Sequence, residues 1–60
     1  MDPNATWSVV TDETEDSEVR DIAAADLVVW LARGGFVPAG VTYGYAMEVC
    51  RQRIHAAAGL

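Results

Sequence analysis

The stretch Asp26–Pro38, DLVVWLARGGFVP, decides how this chain folds. Its first half is almost entirely apolar, and it stops at the pair Gly34–Gly35. A glycine just past the last residue of a helix adopts a left-handed conformation at little cost, and a proline soon afterwards prevents the helix from continuing. The stretch therefore predicts the end of a helix that is apolar around most of its circumference.

The same helical pattern extends back from this end to about residue 17. Asp16 or Ser17 can cap the helix, and acidic residues near its N-terminus complement the helix dipole. Apolar residues then recur at spacings of three, one, four and three, which is typical of an amphipathic helix: Val19, Ile22, Ala23, Leu27 and Trp30. We predict a helix over residues 17–33.

The flanking segments predict one further long helix and one less regular piece. Thr42 is a candidate N-cap of a third helix, and Gly59 is a candidate end for it. Between them, residues recur at spacings of four, three, four and three and form a seam along one face of that helix. At the start, Asp2 can cap a helix that has Pro3 in its first position, whereas the β-branched and aromatic residues of TWSVVT (6–11) favour an extended strand. No second strand pattern follows with which such a strand could pair, so we favour a short helix here. The seam of the third segment consists of Tyr43, Met47, Cys50, Ile54 and Ala57.

These segments predict an all-α fold for a single small domain over residues 1–60. The two long helices form an antiparallel hairpin, and a short N-terminal helix or irregular segment lies across it. The acidic run TDETEDSE (11–18) connects the first two pieces. A chain of 60 residues buries only about 60% of its unfolded surface, so its stability is marginal without further help.

This composition favours self-association as the additional source of stability. One cysteine, Cys50, excludes an internal disulfide, and one cysteine with one histidine is a poor zinc set. The apolar arc of the helix 17–33 is also wide enough that Val28, Val29 or Leu31 is expected to stay exposed in a monomer. Exposed contiguous apolar surface marks interfaces, and large aromatic residues often anchor them. We predict a homodimer or a protein partner, with interface residues Trp7, Leu27, Val28, Val29, Trp30, Leu31 and Tyr45.

The alternative is a three-helix monomer in which the helix 17–33 is central and buried on all sides. A separate question concerns Asp26, which falls inside the apolar arc. A buried carboxylate is costly unless it is paired, so Asp26 is either a rim residue paired with an arginine such as Arg33 or a functional group.

The distribution of charge excludes some classes of partner. Residues 1–33 carry eight acids and two arginines, whereas residues 34–60 carry one acid and two arginines, which together give the net charge of −5. An acidic half repels phosphate backbones and anionic membranes, so we expect neither nucleic acid nor membrane as a partner. The longest apolar run is far too short to cross a bilayer, and MDPNATW lacks the apolar segment of a signal peptide. We expect a cytoplasmic protein.

No arrangement of residues predicts catalysis. Cys50 lies on the apolar seam and is expected to be a small buried hydrophobe, and His55 is expected to be a solvated surface residue. There is no nucleophile–base pair, metal-ligand set or cofactor loop in the pattern. We therefore expect no enzyme, no cofactor and no metal.

Two motifs carry a resemblance. The opening D-P-x-A-T, at Asp2 to Thr6, and D-L-x-x-W-L-x-x-G-G-x-x-P, at Asp26 to Pro38, resemble a set of short, functionally uncharacterised bacterial proteins. The resemblance implies an all-helical small domain and transfers no site. The β-branched, acidic SVVTDETE (8–15) departs from the regular helical pattern of that set.

Two functions follow from these observations. The leading hypothesis is a small non-enzymatic interaction or assembly module that self-associates through its apolar helix. The alternative is an acidic inhibitor or antitoxin-like protein that uses residues 12–21 to mimic nucleic acid or to cover a basic partner. Salt separates the two, because an acidic mimic loses its partner as ionic strength rises and an apolar interface does not.

Overall fold

The computed structural model describes residues 1–59, which form three α-helices and no strand. Helix α1 spans Pro3–Thr11, α2 spans Ser17–Ala32 and α3 spans Tyr43–Ala58. Helix α2 is the middle element, since it packs against both α1 and α3. The all-α prediction is confirmed, and the N-terminal segment is a helix.

Helix α1 forms although its residues have a mixed local preference. The side chain of Asp2 accepts hydrogen bonds from the backbone N–H groups of Asn4 (3.0 Å) and Ala5 (3.3 Å). Pro3 occupies the first position, where its missing N–H is not needed. Val10 is only 2% exposed, so its burial in the core outweighs the weak extended preference of this segment.

The turn before α2 is built by acidic side chains. Asp12 accepts hydrogen bonds from the backbone N–H (2.9 Å) and the hydroxyl (2.6 Å) of Thr14, which hold the pKa of the Asp12 carboxyl below its ordinary value. Asp16 then caps α2 by accepting from the N–H groups of Glu18 (2.9 Å) and Val19 (3.4 Å). The predicted connector and the predicted start of the helix are both confirmed.

The C-terminal end of α2 follows from its two glycines. Gly34 has a φ of +89°, and its N–H donates to the carbonyl of Leu31, while the N–H of Gly35 donates to the carbonyl of Trp30. This is a Schellman motif, and it ends the helix at Ala32. The indole of Trp30 lies over Gly35, where any side chain would collide with it, and its Nε1–H donates to the carbonyl of Phe36 (2.9 Å).

The core is small and draws on all three helices. Helix α2 contributes three buried residues, α3 contributes two and α1 contributes one. The predicted seam of α3 is wrong at its ends, since Tyr43 is 49% exposed and Ala57 is also exposed. Ala46, rather than Tyr43, is the buried residue in the first turn of α3. The core residues are Val10, Ala24, Leu27, Leu31, Ala46 and Cys50.

Polar contacts tie the outer helices to α2. The Nε–H of Arg20 donates to the carbonyl of Val10 in α1 (3.0 Å). At the other helix pair, Nη2 of Arg53 donates to the carbonyl (3.2 Å) and the hydroxyl (3.0 Å) of Ser17. Nε of Arg53 lies 2.8 Å from Oδ1 of Asp21 as an ion pair, although its N–H is not aligned for a hydrogen bond. The start of α2 therefore meets the later part of α3.

Candidate interaction surface

The apolar residues of α2 have two different environments. Ala24, Leu27 and Leu31 are buried inside the chain, whereas Ile22 is 58% and Val29 is 53% exposed. Neither α1 nor α3 covers the second group. Helix α2 is thus apolar around most of its circumference because one side forms the core and the other side lies at the surface.

The exposed side of α2 has the spacing of a helix–helix seam. Four of its residues, at positions 22, 25, 29 and 32, are separated by three, four and three residues, and two charged residues run along one flank of them. All six are exposed. We call this set the outer face of α2: Ile22, Ala25, Asp26, Val29, Ala32 and Arg33.

Two open depressions extend the outer face toward the N-terminus of the chain. One, of about 650 Å³, lies at the C-terminal end of α2 and includes Met1, Val29, Trp30 and Arg33 in its lining. Met1 is 56% exposed. The other, of about 320 Å³, lies between α1 and α2 and is lined mainly by short apolar side chains, with Asp26 at its edge. The first depression therefore joins Val29 to Met1, and the second joins Ile22 to α1.

The two charges of the outer face are unpaired in the part of the chain that the structure describes. Asp26 and Arg33 are both exposed, and neither forms an ion pair among residues 1–59. The expectation that Asp26 pairs with Arg33 is wrong, because seven residues of helix separate them by roughly 10 Å along the axis. The rim position expected for Asp26 is correct. Both charges are therefore available to a partner.

The other predicted interface residues lie elsewhere. Leu27 (0% exposed) and Leu31 (2% exposed) belong to the core, so of the three residues among which an exposed one was expected, Val29 is exposed and Leu31 is not. Leu31 follows Leu27 by one helical turn and faces the same side. Trp7 is half-buried and meets the 56% exposed Tyr45 edge to face, with ring centroids 6.1 Å apart, so this pair joins α1 to α3.

Two further predicted interface residues are half-buried at the borders of the outer face. Val28 and Trp30 flank Val29 in the sequence, and each packs partly against the core. Ile22 and Ala25 also lie on the outer face, and they are not among the predicted interface residues.

Groups with possible chemistry do not converge. Cys50 is buried, and burial raises the pKa of its thiol, so the unreactive protonated form is favoured. His55 is exposed, as predicted. Within residues 1–59, His, Cys, Asp and Glu side chains form no group of three or more that is placed to hold a metal ion.

Comparisons with protein families, with curated proteins and with solved structures give no match. In the part of the chain that the structure describes, no helix has both the length and the apolar character required to cross a membrane.

Proposed function

We propose that this protein is a small non-enzymatic interaction module that forms a homodimer through the outer face of α2. The exposure of Ile22 and Val29 at seam spacing carries the proposal, because contiguous exposed apolar surface is typical of interfaces. Cys50 is buried, so its thiol is not presented at the surface as a nucleophile. A single free thiol also suits the cytoplasm, where we place the protein.

The size of the core gives self-association a physical reason. A domain of 60 residues has a free energy of unfolding of roughly 3–9 kcal/mol. Covering a half-exposed Ile or Val contributes about 1 kcal/mol, and a symmetric pair of outer faces covers at least the two copies of Val29. A partner that binds only the folded chain raises stability by mass action. The contact of Ser17 with Arg53 supports an antiparallel α2–α3 hairpin as the scaffold for this face.

Sedimentation velocity over a dilution series tests the proposal. Val29→Ser is expected to shift the chain from dimer to monomer at micromolar concentration, because the hydroxyl group replaces the central apolar contact. Tyr43→Ser is the matched control, since Tyr43 is similarly exposed (49% against 53%) but lies on α3. Equal effects of the two substitutions, or a monomeric parent chain at all concentrations, would contradict the proposal.

A second candidate function uses the acidic turn. The five acidic side chains between residues 12 and 18 are all exposed, which suits a basic partner. Titration with a lysine-rich peptide at low and high salt tests this function. Binding that disappears at high salt and in a Glu13→Gln/Glu15→Gln variant would support it. Equal binding by that variant would exclude it.

A further inference from the structure

We infer that a second copy of this chain packs antiparallel on the outer face of α2, with Val29 against the partner's Val29 and Asp26 paired with the partner's Arg33. This inference rests on the proposed function and adds the arrangement of the two copies. It also assigns Asp26 and Arg33 the role of fixing that arrangement. Its basis is the position of these two unpaired, exposed charges relative to Val29.

The two charges are placed almost symmetrically along the helix. Asp26 precedes Val29 by three residues and Arg33 follows it by four, which is about 4.5 Å and 6 Å along the axis. A two-fold axis that passes beside Val29 reverses the direction of the second helix. The level of Asp26 in one copy then coincides closely with the level of Arg33 in the other.

The two charges also lie on the same flank of the seam. At about 100° per residue, Asp26 and Arg33 are roughly 60° and 40° from Val29 in the same direction. The two-fold axis of an antiparallel pair keeps each flank on its own side, so each carboxylate meets a guanidinium and two ion pairs form. In a parallel pair each flank faces the opposite one, which contains Ala25 and Ala32 and offers no opposite charge.

The remaining residues of the outer face are compatible with close packing. Ala25 and Ala32 present only methyl groups, so two helices can approach along that flank without a steric obstacle. Val29 of each copy provides the apolar contact at the two-fold axis, whereas Ile22 lies about 10 Å from that axis, beyond the level at which the partner's α2 ends. Exposed ion pairs contribute little affinity individually, but they select register and orientation.

Charge reversal tests the pairing. The chain is compared with Asp26→Arg, Arg33→Asp and the double variant Asp26→Arg/Arg33→Asp, and dimer dissociation constants are measured by sedimentation. Each single variant is expected to weaken the dimer roughly tenfold or more, because two pairs are lost and two like-charge contacts are created. The double variant restores two pairs and is expected to return to within about threefold of the parent chain.

Reversals on α3 control for net charge. Glu48→Arg and Arg51→Asp change the net charge by the same amounts at exposed positions away from the outer face, and are expected to leave the dissociation constant unchanged. If the parent chain is a dimer but the single variants have no effect, or the double variant remains weak, the antiparallel pairing is wrong while self-association stands. If the parent chain is monomeric, the proposed function fails together with the pairing.

Cysteine cross-linking tests the direction of the helices independently. In a Cys50→Ala background, Val29→Cys is expected to oxidise to a covalent dimer, because the two-fold axis brings both copies of this position together. Ile22→Cys is expected to remain uncrosslinked, since its two copies are separated by 14 residues of helix, about 21 Å, far beyond the reach of a disulfide. Efficient cross-linking at both positions would show a parallel pair and overturn the inference.

Discussion

The inner and outer sides of α2 have similar residue types and opposite environments. Ala24, Leu27 and Leu31 are covered by α1 and α3, whereas Ile22 and Val29 on the same helix remain more than half exposed. Two neighbouring helices cover only part of the circumference of a third. The comparison shows that apolar character alone does not distinguish a core position from an interface position in a chain of this size.

The largest expected difference between the two sides is in stability. Leu27→Ala removes a completely buried side chain and is expected to lower the free energy of unfolding by about 2–5 kcal/mol, which is enough to unfold much of the chain. Val29→Ala should lower it by less than about 1 kcal/mol at concentrations where the chain is monomeric. Urea unfolding followed by circular dichroism measures both. Similar losses for the two variants would remove the distinction between the sides.

The end of α2, where Trp30 borders both sides, provides the next largest effect. Gly35→Ala places a methyl group where the indole of Trp30 lies and is expected to cost about 1–3 kcal/mol and to alter tryptophan fluorescence. Gly44→Ala in α3 meets open space and should stabilise the chain by up to about 1 kcal/mol. If Gly35→Ala left the free energy of unfolding unchanged, the indole of Trp30 would not lie against Gly35.

The N-cap of α2 stabilises the whole helix, so it contributes equally to its inner and outer sides. Asp16→Ala removes the acceptor for two backbone N–H groups and is expected to lower stability by about 1 kcal/mol. Association of the folded chain should be unaffected, because Asp16 is not on the outer face. Glu18→Gln, which keeps the cap, is the control and should change stability by less than about 0.5 kcal/mol. If Asp16→Ala weakened association without lowering stability, the assignment of Asp16 to helix stability alone would be wrong.

The smallest effect is a pH dependence from Cys50, which packs in the core with the inner side of α2. Its folded pKa is raised above the ordinary value of 9.0, so above that pH the folded thiol keeps its proton while the unfolded thiol loses it. Stability is therefore expected to be constant with respect to this group below about pH 8 and to fall as pH rises through 9 and beyond. Unfolding free energies between pH 8 and 10 measure this slope. An equal slope in Cys50→Ala would assign it to other groups.

The limits of α2 could be predicted from the sequence because local interactions set them. The cap at Asp16 and the glycines after Arg33 act within a few residues, and the structure places both ends within one residue of the prediction. Helix α1 remained ambiguous, because its helical state depends on the burial of Val10 by the rest of the chain. The true seam of α3 also depends on packing, since Ala46 is buried only through its contact with the core.

The candidate site could be predicted only in part for the same reason. A helical wheel orders residues around an axis but does not show which directions other helices occupy. It therefore identified Val29 and also included Leu27 and Leu31, which face α1 and α3. Ile22 and Arg33 became recognisable as surface partners of Val29 only once the positions of α1 and α3 were known.

The absolute mass in solution, measured by light scattering behind a sizing column, tests the central claim most directly. The chain mass is 6.5 kDa. At micromolar concentration the account predicts twice this value at both low and high salt, because apolar contact between outer faces provides most of the affinity. A mass of 6.5 kDa at every concentration and both salt levels would show that the outer face of α2 remains uncovered, and it would contradict the account.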